Sequence, residues 1–184
     1  MLEAVSVDAR ADDALARAQG GDSAAFADLV RAHQAMVFSL ACRVVGDRST
    51  AEELAQEVFL RLYRSLPRVE SAVHLTFWLR RVTSHCCIDW FRRNGRREEV
   101  AVDELPEAAA PPVSRDVLLE ERLRRLVRQL PPNARLIVTL RYQEDLDPSE
   151  IAAVLDVSVN TVKSRLRRSV ELLRARLAES GRCQ

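Results

Sequence analysis

The chain has 184 residues, with 28 Lys and Arg against 27 Asp and Glu, so its formal net charge is +1. This near-balance excludes a uniformly basic protein that coats DNA and a uniformly acidic disordered tail. Hydrophobic residues make up 47% of the chain and glycines number only 5, which favours helices with packed cores over a β-sandwich or barrel.

Charge is distributed unevenly along the chain. Residues 1–60 hold ten acidic residues against five arginines, and residues 98–121 hold eight against one. Residues 74–97 and 158–177, by contrast, each hold six basic residues against one acidic residue. The two basic blocks and the two acidic blocks therefore alternate, which indicates partners of both signs rather than one.

The N-terminal half is predicted to contain three amphipathic helices, over about residues 24–45, 50–66 and 74–93. Residues 1–20 are treated as an N-terminal extension, with no helix predicted there. Ser49 followed by Glu52 predicts a capping box at the start of the second helix. The polar side of that helix carries glutamates, a glutamine and an arginine, and its spacing alone indicates a solvated face.

The third helix combines aromatic and basic side chains. Phe77, Trp78, Trp90 and Phe91 are interleaved with arginines, a composition that suits single-stranded nucleic acid. The alternative is that these aromatic side chains fill the core of a small domain. Adjacent helical residues point about 100° apart, so the run 85–87, which is His-Cys-Cys, cannot close one tetrahedral metal site. Neither a metal nor a cofactor is predicted, and the cysteines are interpreted as structural thiols.

The chain then passes through an acidic segment into a second helical part. Asn94-Gly95 predicts a helix end, and prolines and acids without periodicity in 98–114 predict a flexible acidic linker. Apolar residues over 118–130, including Leu119 and Leu123, predict an amphipathic helix, and a second one is predicted over about 132–142. Neither a signal peptide nor a transmembrane segment is predicted, so the expected location is the cytoplasm.

A helix-turn-helix is predicted after residue 146. Asp147, Pro148 and Glu150 form a capping box with proline at the first helical position, and Asp156 makes the turn. Ser158 caps the following helix. Steps of 100° from the buried Val162 place four polar residues on the opposite side of the helix and two more beside them. Together they form one polar face that can contact base edges in the major groove. Its members are Asn160, Thr161, Lys163, Ser164, Arg167 and Arg168.

In their order along the chain, these motifs resemble a bacterial extracytoplasmic-function (group 4, sigma-E-like) sigma factor. The matching stretches are Gly21-Asp22-Ser23-Ala24-Ala25-Phe26, Ala51 to Phe59, Phe77-Trp78-Leu79 through Asp89 to Arg92-Arg93, and Leu130-Pro131 through Arg168. The resemblance covers roughly residues 20–178. It implies an all-α protein of two small helical domains joined by the acidic linker, with the helix-turn-helix in the second domain.

The resemblance also implies roles for the surfaces described above. The second helix would dock on the β′ clamp helices of core RNA polymerase through Glu53, Gln56, Glu57, Leu60 and Arg61. The third helix would read and melt the −10 promoter element through Trp78, Arg80, Arg81, His85, Asp89, Arg92 and Arg93. The helix-turn-helix would read the −35 element. His85 stands where many family members carry Asn, so the base preference at −10 is not carried over.

The implied organisation is an extension at 1–20, sigma region 2 at 21–96, a linker at 97–115, sigma region 4 at 116–178 and a tail at 179–184. The expected partners are core RNA polymerase, contacted at its β′ clamp helices and β flap, promoter DNA and an anti-sigma factor. No small-molecule substrate, membrane insertion or enzymatic activity is expected. The alternatives are a stand-alone helix-turn-helix regulator and a signalling scaffold whose basic helices bind protein.

Overall fold

The computed structural model describes the backbone of residues 2–94 and 115–181 and the side chains of residues 11–94 and 119–178. Within those ranges the chain forms eight α-helices and one 3₁₀ turn, and no strand, so the predicted all-α class is confirmed. The helices are α1 Leu2–Gln19, α2 Ser23–Val45, α3 Arg48–Ser65, α4 Ala72–Asn94, α5 Arg115–Arg128, α6 Pro132–Tyr142, α7 Pro148–Leu155 and α8 Val159–Gly181, and the 3₁₀ turn is Leu66–Arg68.

The described residues divide into two compact units. The first takes the chain up to Cys87 together with Ala153–Asp156, and the second takes Ile88 to Ala152 and the residues from Val157 onward. The division thus falls within α4 and α7. The predicted domain boundary at 97–115 lies almost wholly outside the described residues, as does the predicted flexible linker, and both stay predictions.

The core of the first unit lies between long helices. Helix α2 packs along α3, and α1 packs against α2. Large aliphatic side chains at helical spacing are fully buried there, as the periodicity predicts. They are Val37, Leu40, Val44, Val58, Leu62, Leu75 and Leu79.

Helix α1 is an element that the sequence analysis did not predict. In its described part only Leu15 and Ala18 are buried, with exposed fractions of 3% and 6%. Two buried residues give only a weak periodic signal in the sequence. A helix with so few apolar positions owes its stability mainly to packing against a neighbour. The segment treated as an extension is therefore part of the folded first unit.

The start of α3 differs from the predicted capping box. Asp47, not Ser49, is the N-cap, and its Oδ2 accepts the backbone N–H of Thr50 at 2.7 Å. Glu52 instead accepts the Nε–H of Arg48 at 3.0 Å. Gly46 ends α2 with a φ of 85°, which leaves Asp47 in the extended conformation that an N-cap requires.

In the second unit, α8 packs against α6 and α5. Leu130, Val138 and Leu173 form a buried cluster between these elements. The amphipathic helix predicted over 118–130 is present as α5, and two of its leucines, Leu119 and Leu123, are 55% and 40% exposed. No helix among the described residues is both long enough and apolar enough to cross a bilayer.

Candidate functional site: an acidic helix face and two basic helices

Helix α3 presents a continuous polar stripe on the side away from the core, which we call the acidic face. It consists of Glu53, Gln56, Glu57, Leu60 and Arg61. These positions follow the i, i+3, i+4, i+7, i+8 pattern of one helix side, opposite the buried Leu54, Val58 and Leu62. The structure therefore brings all five predicted residues together.

An apolar side chain stands among the charges of the acidic face. Leu60 is 54% exposed, whereas most leucines of this helix are buried in the core. Next to it, the Nε–H of Arg61 donates to Glu57 Oε1 at 2.8 Å. Single exposed leucines are common on protein surfaces, and here Leu60 gives the acidic face one apolar contact point.

A groove of about 550 Å³ runs beside the acidic face, between α2 and α3. Its lining is mainly apolar and comes from both helices: Val30, Gln34, Ala35, Phe38, Glu52, Ala55, Gln56 and Phe59. Arg48 is positioned over the ring of Phe38, with Cζ 5.6 Å from the centroid, and pairs with Glu52. The contribution of α2 is not predictable from the sequence, because helical periodicity treats each helix alone.

Helix α4 carries the seven residues predicted for −10 recognition, and six of them share one side. Steps of 100° place Trp78, Arg81, His85, Asp89, Arg92 and Arg93 within about 60° of one direction. Arg92 and Arg93 are exposed, and the other four are half-buried. The buried side of the helix adjoins the stripe, because the same steps place Leu75, Cys86 and Leu79 about 60° to 100° from its centre. We call this group of six the α4 stripe.

Arg80 is set apart from the α4 stripe. The helical steps place it on nearly the opposite side, toward α2. There, burial lowers the pKa of His33, and the positive charge of Arg80 lowers it further. Arg80 therefore lies apart from the other six residues predicted for −10 recognition.

The two adjacent cysteines of α4 lie in the core. Burial raises the pKa of the Cys87 thiol to about 12, so this thiol stays protonated at neutral pH. A protonated thiol is neither a nucleophile nor a metal ligand. Among the residues that the structure describes, no group of three or more His, Cys, Asp or Glu side chains could hold a metal ion.

Helices α7 and α8 form the predicted helix-turn-helix. Asp147 Oδ1 accepts the N–H groups of Ser149 and Glu150, and Glu150 Oε2 accepts the N–H of Asp147 at 2.7 Å, so the capping box is confirmed. Asp156 has a φ of 55°, the left-handed conformation expected for the turn. Ser158 Oγ accepts the N–H of Thr161 at 3.1 Å and caps α8.

Helix α8 is amphipathic, with one buried side and one polar side. Val162, Ser169 and Leu173 are buried. We call the opposite side the α8 face. Four of its residues, Asn160, Lys163, Arg167 and Arg168, are exposed, while Thr161 and Ser164 are half-buried. Charged and amide side chains on a protruding helix can bond both phosphates and base edges.

Removing the Asp147 cap is expected to destabilise the helix-turn-helix in a pH-dependent manner. The Glu150 N–H, followed by the side chain and N–H of Ser149, holds the pKa of the Asp147 carboxyl below its usual value. A lowered folded-state pKa stabilises the fold above pH 4 and ceases to do so as the pH falls through that pKa. Asp147→Ala should therefore lower Tm by a few degrees at pH 7 and by less at pH 3. Thermal melts followed by circular dichroism at both pH values, with Asp147→Asn as the variant that keeps the acceptor, test this prediction.

Comparison with known proteins gives two family matches on this chain. The model of sigma-70 region 2 matches residues 14–97, and that of sigma-70 region 4 matches residues 120–173. The first match includes the last six residues of α1 and all of α2, α3 and α4. The second includes most of α5, all of α6 and α7, and the α8 face.

Several curated proteins resemble the chain over most of its length. It is 36% identical over 170 residues to the ECF RNA polymerase sigma factor SigE of Mycolicibacterium smegmatis, covering 86% of this chain and 65% of that protein. It is 30% identical over 176 residues to the ECF factor SigW of Bacillus subtilis, covering 86% and 92%. It is 33% identical over 172 residues to the ECF sigma-E factor of Escherichia coli, covering 85% and 88%.

Two solved structures share the fold. One is CnrH in complex with the cytosolic domain of CnrY, with a TM-score of 0.65, 23% identity and coverage of 92% of this chain and 97% of that one. The other is the sigma factor RpoE of Bartonella quintana in complex with the anti-sigma factor NepR, with a TM-score of 0.67, 18% identity and coverage of 83% and 96%. At these identities the likeness concerns the fold alone.

Proposed function

The chain belongs to the ECF RNA polymerase sigma factors, alternative sigma factors that direct transcription initiation, and from this premise we propose how its surfaces share the work. The acidic face binds core polymerase, the α4 stripe reads and opens the −10 element, and the α8 face reads the −35 element. The family is non-enzymatic, so these surfaces act by binding, in the cytoplasm where polymerase and DNA are.

The observation that carries the proposal is the presence, on one chain, of two surfaces of opposite chemistry. The acidic face repels DNA phosphates but suits a basic protein surface, and Leu60 near its C-terminal end offers an apolar anchor. The α8 face has the reverse preference, because Lys163, Arg167 and Arg168 project from it. A protein that bound only DNA or only protein would have no use for both.

For polymerase binding, we propose that the β′ clamp helices cover the acidic face and extend into the groove between α2 and α3. Gln56 belongs to both the face and the groove lining, so one bound helix could contact both. The exposed Leu119 and Leu123 of α5 offer a second apolar stripe, which we assign to the β flap. Two separate anchors on core polymerase would hold the two DNA-reading surfaces at a fixed spacing.

For DNA, the α4 stripe and the α8 face have complementary tasks. Trp78 is half-buried, so part of the side chain is held by the fold and part remains exposed, where an unstacked base can pack against it. Arg92 and Arg93 are exposed at the end of the same helix, where they can hold phosphates. The α8 face projects from a helix-turn-helix, the arrangement that enters the major groove of intact duplex.

We also propose that an anti-sigma factor regulates the chain by covering one of these surfaces. Support comes from the two structural neighbours, one of them a sigma factor bound to the anti-sigma factor NepR. A partner that covers the acidic face would need basic and apolar side chains, and one that covers the α8 face would need acidic ones. The protein has no proposed small-molecule substrate.

Run-off transcription tests the proposed function as a whole. With bacterial core RNA polymerase and a library of randomised promoters, the protein is expected to produce transcripts from a discrete subset of templates, while core polymerase alone produces none from them. Tight binding to a duplex site without polymerase, and no transcripts with it, would instead support a stand-alone helix-turn-helix regulator. Neither binding nor transcripts would support a scaffold.

A further inference from the structure

Helix α1 contacts the segment that joins α3 to α4 through two side chains. Gln19 Nε2 donates to the carbonyl oxygens of Leu66 and Val69, at 3.0 and 2.7 Å. Asp12 Oδ1 accepts the backbone N–H of Ala72, the first residue of α4, at 2.7 Å. We call Asp12 and Gln19 the α1 clasp. The clasp joins α1 to the connection between the acidic face and the α4 stripe.

The contact with Ala72 satisfies a backbone group at the start of α4, whereas the Leu66 carbonyl that Gln19 reaches already accepts the N–H of Val69. The first N–H groups of a helix have no partner within the helix, and an acidic group near them also favours the helix dipole. In α4, Ser71 Oγ accepts the N–H of His74 at 3.1 Å, and the N–H of Ala72 is left to Asp12. The start of α4 is therefore completed by a residue 60 positions earlier in the chain.

The clasp has a firm base on α2. Leu15 and Ala18, which lie between Asp12 and Gln19 in sequence, are buried, and α1 packs against α2. Helix α2 in turn packs along α3, which carries the acidic face. Helix α1 is thus hydrogen-bonded to the start of α4 and is also packed, through α2, against the helix that carries the acidic face. These two sets of contacts together hold α4 in its direction relative to the acidic face.

We propose that the α1 clasp positions α4 for −10 opening, with Asp12 and Gln19 as positioning residues that do not touch DNA. This inference rests on the proposed role of the α4 stripe. Arg92 lies 20 residues beyond Ala72, which is about 30 Å along the helix. A tilt of roughly 10° at Ala72 would therefore move Arg92 by about 5 Å, more than a hydrogen bond tolerates.

The test compares promoter opening by wild-type protein and four variants at concentrations that saturate core polymerase. Asp12→Ala and Gln19→Ala break the clasp, and Asp12→Asn keeps an oxygen that can accept the N–H of Ala72. Asp47→Ala is the matched control, because Asp47 also accepts one backbone N–H at 2.7 Å, but at the start of α3. Opening is measured by permanganate reactivity of −10 thymines on a promoter selected by the wild-type holoenzyme, and core affinity by fluorescence anisotropy.

We expect Asp12→Ala and Gln19→Ala each to reduce opening by about 3- to 10-fold, the ratio that one hydrogen bond can account for, with core affinity unchanged. Asp12→Asn should stay within about twofold of wild type, and so should Asp47→Ala, since neither breaks the clasp. Wild-type opening by Asp12→Ala, an equal loss in Asp12→Asn or in Asp47→Ala, or a loss of core affinity would each overturn the inference. If the wild-type holoenzyme opens no promoter, the proposed function itself fails.

Discussion

Charge reversal on the acidic face, by Glu53→Lys or Glu57→Lys, is expected to weaken binding to core polymerase by about 10- to 100-fold. A lysine at either position would place like charges against the basic surface that the acidic face is proposed to meet, which costs several kcal/mol when the pair is close. Glu57→Lys also loses the ion pair with Arg61, so its neighbour is repelled as well. Anisotropy titration of labelled protein with core polymerase measures the change.

The matched control for this prediction is Asp28→Lys. Asp28 is an exposed acid on α2 that pairs with Arg31, so the substitution changes the charge equally but lies outside the acidic face. Leu60→Ala separates the apolar contribution, because it removes the exposed anchor without altering charge. Equal binding by wild type and by both lysine variants would mean that the acidic face is only solvated.

Truncation of the α8 face, by Arg168→Ala or Lys163→Ala, is expected to reduce transcription from −35-dependent promoters by about 10-fold or more, with core affinity unchanged. One specific contact with a base edge contributes about 1–3 kcal/mol of discrimination, and a phosphate contact mainly contributes salt-dependent affinity. Both side chains are exposed and belong to the helix that follows the capped turn. The measurement is run-off transcription from paired templates with an intact or a scrambled −35 element.

The paired templates decide whether the loss comes from −35 reading. On the scrambled template, wild type and variants should perform alike, because the contact has no target there. Arg174→Ala is a suitable control, since Arg174 is an exposed arginine of the same helix beyond the α8 face. A variant that instead lost core polymerase would contradict the assignment of α8 to DNA.

The near-neutral net charge gains a physical meaning from these surfaces. The acidic block within residues 1–60 includes the acidic face of α3, and the basic blocks at 74–97 and 158–177 include the α4 stripe and the α8 face. A total of +1 therefore results from surfaces of opposite sign that are proposed to meet different partners.

Features that depend on neighbours within one or two helical turns were predictable from the sequence. The capping box of α7 joins residues only three positions apart, and the Asp156 turn and the Ser158 cap are equally local. The same holds for the stripe of Val162 and Leu173, because a 3.6-residue period alone determines which side of a helix they share. The helix-turn-helix and the all-α class were therefore determined by the sequence itself.

Only the tertiary structure decided how separate helices combine. The groove beside the acidic face needed residues from α2 and α3 together. The position of Arg80 beside His33 and the α1 clasp likewise join residues that lie 47 and 60 positions apart. Periodicity and capping rules describe one helix at a time, so they carry no information about which helix lies opposite. Such pairings follow from packing and from the need to satisfy open backbone groups across the fold.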